Sequence, residues 1–271
     1  MEFTDAVDLA RNSLVCLYLN DRSKDEDAWD VASGVLVRLG DATFILTAGH
    51  NLRGLATRDV FTMYPRHGLV LPWRGGLGIR KLAFLNEPDV GVIELDEAES
   101  AYWRHMAPLG EADFDDIPAA ESGDVLILFG FPSARTRVDQ MRADEDRRAP
   151  PFFASAALAA RARINTQIRS PFEPPGGRGF HVVYHGETYF DPETGTPSPL
   201  PAPEGLSGGP LLAVSNTGVR LIGLARAKHG TTDAHEWCEP AFEALVPLLE
   251  HGNEQVRSAA RRVIQHLRKA D

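Results

Sequence analysis

The feature that most restricts this chain is the length of its apolar runs, which are strand-sized up to about residue 230. Residues 13–19, 33–39, 42–47, 67–71, 79–84 and 89–95 are each rich in Val, Ile, Leu and Phe, and polar or turn-forming residues separate them. Gly40-Asp41 separates two of these runs and reads as a hairpin turn. After a polar connector at about 96–120, which could be helical, the pattern resumes at 124–132, 152–168, 180–184, 210–214 and 220–227. Stretches 171–179 and 191–205 are dense in Pro and Gly, as surface loops are, and 141–148 is a mixed charge run that reads as a solvated loop. Short strands without long helices alternating between them predict an all-β sandwich or barrel.

The last thirty residues differ. Val256, Ala259, Ala260, Val263, Ile264 and Leu267 recur at helical spacing, so a helix with one apolar face is expected within 241–269.

Charge narrows the function classes. The chain carries 28 Lys+Arg against 38 Asp+Glu, a formal net charge of −10. Nucleic-acid binding needs clustered cations, so no nucleic-acid partner is expected. No apolar stretch approaches the roughly 18 residues of a membrane span, so no membrane contact is expected. The start, Met-Glu-Phe-Thr-Asp, is acidic and lacks a basic segment followed by an apolar run. With only Cys16 and Cys238, a disulfide framework is not indicated, although one bridge stays open. The expected compartment is the cytoplasm. Nothing in the sequence implies a cofactor.

Three short motifs carry chemistry. Gly205-Leu206-Ser207-Gly208-Gly209-Pro210 places a serine among glycines, which suit backbone that must turn sharply or be approached closely. A tight loop before a strand would explain it structurally. A nucleophile would explain it chemically, given a base and an orienting acid elsewhere. Thr47-Ala48-Gly49-His50 puts a histidine just after an apolar strand, and Asp89-Val90-Gly91-Val92 puts an acid at the head of another. Either residue alone fits an ordinary turn.

Together, in the order His50, Asp89, Ser207, these motifs resemble the three signatures of the trypsin-like (chymotrypsin-fold) serine peptidases. The resemblance covers roughly residues 13–230 and implies two antiparallel six-stranded β-barrels with an active site between them. It implies His50 as general base, Asp89 as its orienting acid and Ser207 as nucleophile. The N–H groups of Gly205 and Ser207 would form the oxyanion hole. The intervals, 89 − 50 = 39 and 207 − 89 = 118 residues, suit two sites in a first barrel and one deep in a second. The expected division is 1–112 for the barrel with His50 and Asp89, 113–238 for the barrel with Ser207, and 239–271 for a helical tail. The implied partner is a protein or peptide substrate.

Two departures from that family are visible. Leu206 stands where precursor-activated members carry an acid before the serine, and no cysteines flank the histidine motif. The chain therefore resembles bacterial members that fold directly into the active form. For specificity, Pro201 falls six residues before the serine, where the resemblance places the pocket floor, so no Arg/Lys preference is implied. Arg226, Ala227 and Lys228, with His229, would line one pocket wall. Their charges suit an acidic substrate residue or, equally, solvent.

The residues also admit other readings. Gly205-x-Ser207-x-Gly209 also fits the nucleophile elbow of α/β-hydrolases, with Asp233 and His235, His251 or His266 following, but the alternating helices of that fold are missing. His181 and His185 would share a strand face, yet two histidines make an incomplete metal site. The tail is similar to one HEAT-type helical repeat, which cannot bury its apolar face alone. Packing on the barrels is the expectation, with a regulatory protein contact as the alternative. Two further functions stay open: an esterase or acyl-transfer hydrolase on the same fold, and a catalytically silent binding or scaffold module.

Overall fold

A computed structural model describes residues 2–21, 29–53, 58–63, 70–73, 82–96, 106–116, 124–132, 136–139, 152–155, 158–165, 179–184, 189–190, 197–198, 205–228 and 235–268. The charge run 141–148, the loop 171–178, Pro201, His185, His229 and Asp233 lie outside the described residues.

A helix α1 (Phe3–Ala10) comes first, burying Ala6, Val7 and Ala10 on one side. The N-terminal sheet follows, built from β1 (Leu14–Asp21), β2 (Trp29–Leu39), β3 (Ala42–Thr47), β4 (Arg58–Met63), β5 (Val70–Trp73), β6 (Leu82–Leu85) and β7 (Val90–Leu95). Its order is β5-β4-β1-β2-β3-β7-β6, and every pairing is antiparallel. The β2–β3 hairpin turns at Gly40, whose φ of 61° lies in the left-handed region that a residue without a Cβ adopts without strain.

The C-terminal sheet contains β8 (Val125–Gly130), β11 (Leu158–Asn165), β12 (Phe180–Tyr184), β15 (Pro210–Ser215), β16 (Gly218–Lys228) and β17 (His235–Pro240). These six run in the order β12-β17-β16-β15-β8-β11, and β11 pairs back onto β12, closing a barrel. The short strands β13 (Tyr189–Phe190) and β14 (Pro197–Ser198) extend it beyond β11, while β9 (Thr136–Asp139) and β10 (Phe152–Ser155) form a separate hairpin.

The expectation of two closed six-stranded barrels needs correction. One six-stranded barrel closes. The N-terminal sheet has seven strands and, among the described residues, its end strands β5 and β6 do not pair with each other.

Strand alternation explains where the core sits, because successive side chains point to opposite faces. In β8, Leu128 joins the barrel interior with Ala160, Val182, Leu211, Ala213 and Ile222. Its neighbours Ile127 and Phe129 point the other way. There they meet Val37, Phe44 and Leu46 of the N-terminal sheet in one continuous cluster. This second cluster presses the two sheets face to face and sets the seam along which the motif residues lie.

The tail completes that cluster. Ala241–Glu250 is a 3-10 helix, and α3 (Glu254–Leu267) is an α-helix. A single uninterrupted α-helix is excluded by Pro247, which has no N–H to donate and whose ring would strike the carbonyl four residues earlier. Phe242, Leu245, Leu248, Val256, Ala260 and Ile264 are buried against residues of both sheets. The face therefore packs on the sheets, as the tail's amphipathic pattern requires. Polar contacts fasten its edges: Arg262 donates to both carboxylate oxygens of Glu111 at 2.9 Å, and Asn253 Nδ2 donates to Asp41 Oδ1 at 2.9 Å.

Candidate active site

Residue His50 sits where β3 ends. The chain leaves Thr47, passes Ala48 and makes the short helix α2 (Gly49–Leu52). Gly49 is dictated by space: a Cβ there would lie 2.4 Å from the carbonyl oxygen of Leu85 and 3.0 Å from Asp89 Oδ1. That close approach brings His50 onto the Asp89 carboxylate. The backbone N–H of His50 donates to Asp89 Oδ1 at 2.8 Å, and its ring Nδ1 lies 2.6 Å from Oδ2. A carboxylate can only accept, so the proton belongs on Nδ1 and the lone pair of neutral His50 on Nε2. Asp89 is almost fully buried, with a side-chain exposure of 5%, whereas that of His50 is 39%. The imidazole therefore has a fixed inner edge and an open outer one.

Ser207 lies on the loop entering β15. Its carbonyl oxygen accepts from the backbone N–H of Ser33 on β2 at 2.9 Å and from Asn51 Nδ2 at 3.1 Å. Asn51 is the residue after His50, so the histidine segment and the serine loop are joined by hydrogen bonds at the seam. Gly208, at φ 83°, allows the contact, because a Cβ would fall 2.1 Å from Thr47 Oγ1 and 2.2 Å from the Ser33 carbonyl oxygen. Gly205, at φ 95°, is held by its carbonyl, which accepts from Ser33 Oγ at 2.7 Å. The Ser207 hydroxyl donates to the carbonyl of Arg226 at 3.3 Å. Among the described hydrogen bonds, the N–H groups of Gly205 and Ser207 have no protein acceptor.

The residues expected to line a specificity pocket fare differently. Arg226, Ala227 and Lys228 are on β16, and Arg226 is the extra residue of a bulge: Ala225 pairs with Cys238 and Ala227 with Trp237. A bulge re-aims a side chain. Here the Arg226 guanidinium turns inward, to Glu239 Oε1 at 2.7 Å, Glu87 Oε1 at 3.0 Å and Asp89 Oδ2 at 3.8 Å. Its side chain is 16% exposed. Neither a solvent-facing charge nor an acid-selecting pocket wall describes that placement.

His181 is buried in β12, and no group of three or more His, Cys, Asp or Glu that could hold a metal occurs among the described residues. Cys16 and Cys238 are both buried and are not bridged; they belong to different sheets. No described helix is long and apolar enough to cross a membrane.

Three residues of the site escaped the sequence reading. Ser33 is fully buried on β2; its hydroxyl donates to Gly205 and accepts from the Phe131 N–H at 2.8 Å, while its carbonyl accepts from Thr47 Oγ1 at 2.7 Å. Asn51 donates to Thr47 Oγ1 at 3.0 Å as well as to Ser207. Glu239 is a buried anion facing Arg226. Asn51 had a local signal, being one helical turn beyond Thr47 and next to His50. Ser33 and Glu239 had none, since their partners are distant in sequence.

No family model matches the chain, and no curated protein matches it. Solved structures do. A crystal structure of the Rv3671c protease from M. tuberculosis in its active form is 15% identical, with a TM-score of 0.49, covering 92% of this chain and 85% of that one. The thermostable serine protease AL20 from an extremophilic microorganism is 12% identical, with a TM-score of 0.48 and coverage of 87% and 93%. The protease Anisep from Arthrobacter nicotinovorans is 12% identical, with a TM-score of 0.45 and coverage of 85% and 90%. At such identities and scores, the chemistry of this chain has to be derived from its own residues.

Proposed function

We propose that this chain is a trypsin-like serine endopeptidase that cleaves peptide bonds through His50, Asp89 and Ser207. The observation that carries the reading is the 2.6 Å pairing of His50 Nδ1 with a buried Asp89, hydrogen-bonded through Asn51 to the Ser207 loop. A serine hydroxyl is a weak nucleophile until a neighbouring base takes its proton. With Nδ1–H donated to Asp89, Nε2 of His50 is that base. In the proposed cycle the Ser207 hydroxyl leaves the Arg226 carbonyl, its described partner, and donates to Nε2. Its oxygen attacks the substrate carbonyl carbon as the proton passes to His50, and Asp89 stabilises the resulting cation. The N–H groups of Gly205 and Ser207 would receive the oxyanion, an arrangement in which one donor is typically worth about 3–4 kcal/mol. The proton on Nε2 then moves to the departing amine, leaving an acyl group on Ser207. Water, deprotonated by the same nitrogen, removes it.

A peptide substrate is favoured by the edge of β16. Strand β15 pairs with β16 only as far as Leu224, and the Ala225 N–H is spent on Gly209. Beyond Ala225 no described strand pairs on that side, so an extended peptide could add there as a strand, beside Ser207. The backbone of Ala227 and Lys228 would hold it, and Pro201 would floor the pocket before the scissile bond.

Cleavage of a mixed peptide library tests this. By analogy with measured triads, Ser207→Ala should lower kcat by about 10⁶-fold and Asp89→Asn by about 10⁴-fold. Library peptides left intact by a wild-type protein that hydrolyses simple esters would replace the peptidase reading with an esterase. Turnover unchanged in Ser207→Ala would remove the mechanism.

A further inference from the structure

We propose that Arg226 is a positioning residue, a charged clamp whose guanidinium holds the acid of the site in place while its backbone carbonyl receives the resting Ser207 hydroxyl; this rests on the reading of Ser207 as nucleophile. Its backbone carbonyl accepts the Ser207 hydroxyl at 3.3 Å. Its guanidinium crosses the seam to the N-terminal sheet, with Nε 3.8 Å from Asp89 Oδ2 and NH2 3.0 Å from Glu87 Oε1. NH1 is anchored at home, 2.7 Å from Glu239 Oε1 on β17.

The bulge makes this reach achievable. Without the extra residue in β16, residue 226 would keep its place in the ladder opposite β17, where alternation fixes its face. With it, one residue presents its carbonyl to Ser207 and its side chain to Asp89. Charge balance supports the assignment. Asp89 and Glu239 are both almost fully buried, and two such anions near one another need a cation between them. Arg53 also approaches Asp89, at 3.5 Å, but its side chain is half exposed, so water screens it. Burial alone would weaken the Arg226 guanidinium's hold on its proton, but charge attraction and hydrogen bonds from Glu239 and Glu87 together raise its pKa above the ordinary arginine value. A planar fork with several donors suits one carboxylate on each side better than an ammonium would.

The clamp should therefore act on reactivity more than on substrate affinity. Labelling of Ser207 by a fluorophosphonate measures this without any peptide: the Ser207 oxygen displaces fluoride from phosphorus, and His50 takes the hydroxyl proton. The full-length wild type is compared with Arg226→Gln, Arg226→Lys, Glu239→Gln and the Arg226→Gln/Glu239→Gln pair. Displacing the acid by an ångström is expected to lower the maximal labelling rate about 100-fold in Arg226→Gln, with the half-saturating concentration little changed. Arg226→Lys should restore part of the rate, because it keeps the charge and loses the fork. Arg226→Gln also takes the Arg226 charge away from the buried Glu239, so its Tm should fall, and the double variant should regain Tm. The decisive comparison is the labelling rate of that double variant. Slow labelling at recovered Tm supports the clamp. Labelling at the wild-type rate, in the double variant or in Arg226→Gln itself, overturns it and reduces Arg226 to a counter-ion for Glu239. A wild type that labels but cleaves no peptide refutes the peptidase reading and leaves this inference standing. A wild type that never labels at Ser207 overturns both.

Discussion

At the scale of single residues, the site is built by close approach more than by side-chain chemistry. Gly49 lets the histidine turn touch the Asp89 segment, and Gly208 lets the serine loop touch β2 and β3. Gly208→Ala would need both a strained φ and the displacement of Thr47 Oγ1 and a backbone carbonyl. The expected cost is about 2 kcal/mol or more in denaturant unfolding, with loss of Ser207 reactivity even in the molecules that stay folded. A variant of wild-type stability and reactivity would show that the serine loop does not need this contact. Ser33 shows why part of the site was hidden in the sequence. Its hydroxyl binds Gly205, 172 positions away, and Phe131, 98 positions away, so no local pattern marks it. His50, Asp89 and Ser207 could be singled out because each sits in a short motif resembling a known signature, even though the glycines of two of those motifs answer to distant partners.

Individual elements were read well where one face is wholly buried. The bounds expected for β3 and β15 match those observed within a residue, since continuous burial leaves a continuous apolar run. Strand β17 was missed: its sequence, His-Glu-Trp-Cys-Glu-Pro, holds two acids, and one of them, Glu239, is buried and paired with Arg226. Helix α1 was missed too, although Phe3, Ala6, Val7 and Ala10 carry a helical period short enough to be overlooked. Helix α3 starts with a local device that can be tested. Asn253 caps it by accepting from the Gln255 N–H at 2.8 Å, while Glu254 accepts from Arg257 and Ser258. The Arg257 hydrogen bond, followed by that of Ser258, holds the Glu254 carboxyl below the ordinary carboxylate range. A carboxyl depressed by folding stabilises the native state above its unfolded value, and that stabilisation disappears as pH falls through the folded value. Glu254→Gln should therefore lower Tm slightly at neutral pH and make no difference in strong acid. An equal deficit at both pH values would place its cause outside this carboxylate.

At the scale of the whole molecule, three parts share one core. A single apolar cluster runs from α1 through both sheets to Leu267 near the chain's end. Closure of the C-terminal barrel was implied by the resemblance and not by strand composition, because it depends on β11 meeting β12, a pairing fixed by barrel geometry. Hydrogen bonds from the Ser33 N–H and Asn51 Nδ2 to the Ser207 carbonyl join the histidine segment to the serine loop, and the proposed function needs these segments, 207 − 50 = 157 residues apart, to act as one reactive unit. Peptide mapping after treatment with a fluorophosphonate tests that claim most directly. The account predicts one adduct, on Ser207, and labelling slowed by orders of magnitude in His50→Ala at unchanged fold. An adduct on another residue, or wild-type labelling of Ser207 without His50, would contradict it.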